Sequence, residues 1–151
     1  MAKRFTFRLE TLLRIRGMRE REAKRKVGAK QAEIAQLDQL NRQTAGEIAR
    51  RQAALLDAQR GTLAPAELVR QRAWIAHLRA TIAQRHTARR ELVAQLDQLL
   101  AEWRETRTRK RIIEKLRERR WEQHKRANNR REQAEADEVA QQLHRYRGAR
   151  T

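Results

Sequence analysis

Gly61-Thr62-Leu63-Ala64-Pro65-Ala66-Glu67 is the one clear interruption in an otherwise helix-compatible chain. Gly suits a helix C-terminal cap, and Pro sits well in the first turn of a new helix, where its missing N–H is not needed. Glu67, two residues after Pro65, complements the positive end of that new helix. The stretch reads as helix, tight turn, helix.

Outward from the turn, both flanks carry the spacing of a coiled-coil seam. On the N-terminal side, every seventh residue from Leu13 gives Leu13, Glu20, Val27, Ile34, Asn41, Ile48 and Leu55, apolar at five of seven positions. A weaker second stripe is Leu9, Arg16, Ala23, Lys30, Leu37, Thr44 and Arg51. On the C-terminal side, Leu68, Ile75, Ile82, Arg89, Leu96 and Trp103 form one seam. Leu78, Arg85, Leu92, Leu99, Thr106 and Ile113 form its companion three residues on. If the chain folds back near Thr62, facing residue numbers sum to roughly 125, which sets Leu55 near Val69, Ile34 near Leu92 and Leu13 near Ile113.

The expected fold class is therefore all-α, a long antiparallel two-helix coiled coil in a single domain over 1–151. Helix 1 is expected over about 5–60, the turn over 61–65, and helix 2 over about 65–146. At ~1.5 Å per residue these helices are on the order of 80 and 120 Å long, so the second overhangs the first from about Arg120 to Tyr146. That overhang has Ala127, Ala134 and Ala140 but few large apolar residues. The seam also holds Arg16, Glu20, Lys30, Asn41, Arg51, Arg85 and Arg89. Each forgoes the ~1.5–3 kcal/mol of a buried aliphatic side chain, which predicts modest stability.

Composition agrees with an elongated helical molecule. The 151 residues include one Pro, five Gly and no Cys, with 37% charged and 4% aromatic residues. The absence of Cys removes disulfides and thiolate metal sites and fits a reducing cytoplasm. No apolar run approaches the ~18 residues needed to cross a bilayer, and Met1 to Arg8 lacks the hydrophobic stretch of a signal peptide. Membrane insertion and secretion by the general route are not expected. A net charge of +18 favours an acidic partner: nucleic acid, an anionic membrane surface or an acidic protein face.

Nothing in the sequence reads as catalytic. No nucleophile and base stand together, Gly17, Gly28, Gly46, Gly61 and Gly148 form no phosphate loop, and His77, His86, His124 and His144 show no i,i+4 pairing. No enzyme activity, cofactor or metal is expected. Arg104 to Arg131 carries thirteen Arg or Lys against four Glu, with Trp103 and Trp121 beside or within it. Basic residues with aromatics bind nucleic acid through phosphate contacts and stacking. Here the bases surround the helix and alternate with Glu105, Glu114, Glu118 and Glu122, so a solvated face or an acidic protein partner is preferred over nucleic acid. Trp74 precedes the seam residue Ile75 and shares a side of the helix with Leu78. It either covers the seam near the turn or anchors a partner.

Across nearly the whole chain these residues resemble the flagellar export protein family FliJ. The resemblance rests on Phe5-Thr-Phe7-Arg-Leu9-Glu-Thr-Leu12-Leu13-Arg-Ile-Arg16 with Glu20 and Ala23, and on Trp74-Ile75 with Leu78. Glu102-Trp103-Arg104-Glu105, Glu114-Lys115-Leu116 and Asp137-Glu138 complete it. The family resemblance implies a soluble component of the flagellar type III export apparatus, similar in fold to the central stalk subunit of rotary ATPases. Its implied partners are a FliI-like export ATPase hexamer, the cytoplasmic domain of a FlhA-like export gate protein, and export chaperones. Its implied location is the cytoplasm, peripheral to the inner membrane.

By the same resemblance, gate binding falls on Trp74, Leu78, Thr81 and Arg85; Arg85 stands where the family has His, with His86 next to it. The stalk analogy places ATPase-ring binding on the paired chain ends, at Phe5, Phe7, Leu9, Arg16, Arg104, Arg107 and Arg111. The equivalent stalk of a virulence injectisome and a basic coiled-coil nucleic-acid binder are the alternative readings.

Overall fold

The seams close as expected. The computed structural model describes residues 4–61 and 64–148, and consists of two helices, α1 (Glu10–Ala58) and α2 (Pro65–Gly148), packed against each other as an all-α hairpin. Thr62 and Leu63, where the fold-back was placed, lie outside the described residues. Two compact units are formed, one from 21–104 and one from the N-terminal residues through Glu20 with those from Glu105 onward.

In the unit over 21–104, the buried residues of α1 are Val27, Ile34, Asn41 and Ile48, four successive positions of the predicted stripe. The second stripe, from Ala23 to Arg51, is half-buried throughout. Their counterparts on α2 are Ile75 and Leu78, which with Ile48 form a core cluster flanked by Leu55 and Ile82. Among the described residues no side chain is fully buried, because two helices cover each other on one side only. Burial of each aliphatic in the cluster contributes about 1.5–3 kcal/mol.

Apart from Asn41, whose amide stays buried in the seam, the polar seam residues keep their stems in the interface and reach partners at its edges. Arg89 donates to Asp38 through Nε at 2.7 Å and Nη2 at 3.2 Å. Arg85 donates to Thr44 Oγ1 at 2.8 Å, and Lys30 pairs along its own helix with Glu33 at 2.8 Å. These cross-helix partners fall within a few places of the expected register. The hydrogen bond from Arg89 holds the Asp38 carboxyl below its ordinary pKa, against a smaller opposing effect of burial. A carboxylate lowered in the folded state stabilises the fold above its unfolded pKa, and that contribution disappears as pH falls through the folded one. The melting temperature should therefore fall on acidification below about pH 4, and Asp38→Asn should flatten that acid limb while lowering the neutral-pH plateau slightly. An unchanged acid limb in a thermal melt series would remove Asp38 as a contributor.

The ends of the helices depart from the sequence expectation. Gly61 follows α1 without a left-handed conformation, since no described residue has positive φ. The last turn instead tightens, with Arg60 N donating to Asp57 O at 3.2 Å and Gly61 N to Ala58 O at 3.1 Å, which satisfies carbonyls that the helix leaves open. Pro65 opens α2 as expected. The Ala64 carbonyl accepts from Glu67 N and Leu68 N, and the Glu67 side chain pairs with Arg70 at 2.6 Å in the first turn.

In the other unit, α1 begins at Glu10 and not near residue 5. Phe5, Phe7 and Leu9 are half-buried while Arg4, Thr6 and Arg8 are exposed. From Arg4 to Phe7 this alternation is that of an extended strap, with successive side chains on opposite sides, and a turn at Arg8 and Leu9, closed by Glu10 N donating to Phe7 O at 3.1 Å, leads into α1. Within this unit α2 carries the seam on through Thr106, Lys110, Ile113 and Leu116, and half-buried positions persist to His124 and Asn128. The strap covers α2 beyond the point at which the overhang was expected. From Asn129 to Gly148 every residue is exposed.

Candidate functional site

Trp74 sits one position before Ile75, and 100° per residue swings it from the seam onto the flank of α2. There its indole N–H donates to Glu47 Oε1 at 3.3 Å, and the Arg51 guanidinium lies 5.5 Å from the ring centre. Arg51 Nε donates to the same Glu47 oxygen at 3.0 Å and Nη1 to Gln71 Oε1 at 3.1 Å. Gln71 in turn donates to Glu67 at 2.9 Å. The bond from Trp74, followed by that from Arg51, holds the Glu47 carboxyl below its ordinary pKa. The network spans both helices and fixes the indole while leaving it 44% exposed. The His77 ring lies 5.2 Å away, tilted by 34°.

Of the other residues expected to bind an export gate, Thr81 and Arg85 share the Trp74 flank. The Thr81 hydroxyl donates to His77 O at 3.1 Å. Arg85 crosses to α1 and bonds Thr44 Oγ1 and the Leu40 carbonyl. Leu78 is placed differently: 8% exposed, it belongs to the core beneath Trp74. Glu47, Arg51 and Gln71 were not singled out from the sequence as part of this surface. Their signal was the i,i+4 spacing of Glu47 and Arg51 on α1, combined with a register that sets both across from Trp74.

The chain-end candidates divide between the two units. In the strap, the Phe5 ring meets Trp121 edge-on at 5.2 Å and 75°, and His124 at 5.4 Å. Trp121 and His124 stack at 6.0 Å, and Asn128 Nδ2 lies 3.1 Å from His124 Nε2. Phe7 and Leu9 border a shallow groove with Leu116, Arg120 and Gln123. The apolar side chains of the strap thus hold it to α2, with Arg4 and Arg8 left outward. Arg16 is half-buried in the seam, whereas Arg107 and Arg111 are exposed. Arg111 reaches Glu114 and Glu118, each at 3.3 Å. Arg104 is an exposed residue of the unit over 21–104.

Such surfaces suit binding of macromolecules: a fixed aromatic beside ion pairs in one unit, a clasped chain end beside exposed Arg in the other. No described helix is long and apolar enough to cross a membrane. No curated protein and no solved structure matches the chain. A family model, that of the flagellar FliJ protein, matches residues 5–149. The match runs from Phe5 in the strap to the end of α2 and takes in every candidate binding residue above, and the chain accordingly belongs to the FliJ family, a non-enzymatic component of flagellar protein export.

Proposed function

We propose that this chain is the stalk and adaptor of the flagellar type III export apparatus, binding the export ATPase hexamer and linking it to the export gate and to export chaperones. The observation that carries the reading is the family match along nearly the full length of a helical hairpin. Membership in the flagellar family favours this system over an injectisome. The proposed place of action is the cytoplasm, at the periphery of the inner membrane.

In this reading the clasped end, with Phe5, Phe7, Leu9 and Arg16 and with Arg107 and Arg111 on α2, engages the ring; Arg104, in the unit over 21–104, is proposed as a ring contact of its own. A single basic hairpin has no six-fold symmetry, so it contacts the subunits of a hexamer unequally. Those unequal contacts shift the ring toward one arrangement and couple it to whatever the other surface holds. Trp74, with Thr81 and Arg85 along its flank and Leu78 packed beneath, is the proposed gate contact. Its fixed, half-exposed indole has the character of an interface anchor. The stalk supplies no catalytic group to the ATPase.

The test is ATP hydrolysis by the cognate export ATPase with and without this protein. Wild type should stimulate turnover several-fold, and a variant lacking residues 1–9, which leaves α1 whole, should lose most of that effect. Absence of stimulation by the full chain, with hexamers formed, would reject the stalk reading.

A further inference from the structure

Among the basic residues of the unit formed by the chain ends, which also include the exposed Arg14, Arg19, Arg120, Lys125 and Arg131, two sets stand out. One set is neutralised locally. Lys110 lies 3.8 Å from Glu20 and 3.7 Å from Glu114, Arg117 donates to Glu10 at 3.1 Å, and Arg109 pairs with Glu105. The other set is Arg107, Arg111, Lys115, Arg119, Arg126 and Arg130, all exposed. At 100° per residue these six fall within one arc of ~140°, on the side of α2 turned away from the half-buried Ile113, Leu116 and His124. They form a row roughly 35 Å long. Arg111 is paired with Glu114 and Glu118. Lys115, Arg119, Arg126 and Arg130 make no ion pair among the described residues. Glu118 and Glu122 share the arc, which still leaves it strongly positive.

We infer that this outward row on α2 docks against an anionic lipid surface. Three observations favour lipid over other polyanions. First, a protein interface is centred on buried apolar or aromatic anchors, and the arc has no large apolar side chain except Ile112 at its edge, 60% exposed. Second, single-stranded nucleic acid is held by base stacking as well as by charge. The nearby aromatics are committed elsewhere: Trp121 packs with Phe5 and His124 on another side of the helix, and Trp103 is half-buried. Third, the row carries two embedded carboxylates. A fluid bilayer tolerates that pattern, because its anionic headgroups diffuse toward each cation and away from Glu118 and Glu122. Each Lys or Arg near such a surface strengthens adsorption by about fivefold, and salt screens the attraction within a Debye length. The inference is independent of the stalk reading and adds a direct lipid contact to it.

The experiment is co-sedimentation of the full chain with phosphatidylglycerol-containing vesicles and with pure phosphatidylcholine vesicles, at low and at physiological salt. The expected result is binding to the anionic vesicles alone, weakening as salt rises. The triple variant Lys115→Glu, Arg119→Glu, Arg126→Glu should bind on the order of a hundredfold more weakly, with unchanged helicity. It leaves Arg107 and Arg111 intact, so ATPase stimulation is read separately. Arg25→Glu, Arg72→Glu, Arg79→Glu is the control: exposed bases of the other unit, with the same change in net charge. Equal loss in both variants would reduce the effect to overall charge and overturn the proposal. So would equal binding to both vesicle types, or duplex DNA outcompeting anionic vesicles for the same row.

Discussion

Ile75→Ala is expected to lower the free energy of unfolding by about 2–3 kcal/mol. Ile75 is 6% exposed and shares a core cluster with Ile48 and Leu78, in a core that consists of one layer. Truncation removes the transfer free energy of three carbons and leaves a gap that two facing helices fill poorly, because no third element can move in. The matched control is Ile112→Ala, 60% exposed, which should change stability by less than about 0.5 kcal/mol. Chemical denaturation followed by far-UV circular dichroism measures both, and equal effects would show that the seam at Ile75 is not a stabilising core. Leu78, 8% exposed in the same cluster, is subject to the same physics. Any loss of gate binding on its truncation therefore has to be read beside a stability measurement, whereas Trp74, at 44% exposure, separates the two effects.

Asn41→Leu is expected to raise stability by about 1–3 kcal/mol. Asn41 is 9% exposed in the middle of the seam, and neither its Oδ1 nor its Nδ2 has a hydrogen-bond partner among the described residues. Burying an unbonded amide costs the desolvation of both its atoms, and Leu would substitute apolar contact with the facing helix. The benefit of Asn lies in register. An apolar stripe with heptad spacing can slide by seven residues onto a shifted set of partners, and a polar residue at one seam position makes the shifted alignments unequal. The variant should have a higher denaturation midpoint, and a drop in the midpoint would show that the amide is satisfied in solution and contributes to the fold.

Both predictions depend on a seam that is legible in the sequence. Val27, Ile34, Asn41 and Ile48 are the buried positions of α1, and they follow the seven-residue count from Leu13 without a slip. The antiparallel register was also readable, since a single Gly-to-Pro interruption leaves only one place for the chain to turn back. The candidate surfaces were legible only in part. Trp74 stood out as a large aromatic beside a seam residue, but the Glu47, Arg51 and Gln71 side chains that fix it come into view only once α1 is laid against α2.

By itself, the sequence determined that the chain is helical, where it reverses, which faces meet and which family it belongs to. All of these follow from local chemistry repeated along the chain: a residue's angular place on a helix is set by its number, and no distant contact is needed to find it. Tertiary structure alone decided that the chain from Arg4 to Phe7 runs as a strap ahead of α1, that Gly61 exits without positive φ, that Arg89 finds Asp38, and that the Asn41 amide is left unbonded. The physical reason is range. A hydrogen bond requires two groups within about 3 Å, so it depends on the axial stagger of α1 against α2 to a fraction of a residue. The strap is held by Trp121 and His124, far along the chain, whose nearness no local pattern records.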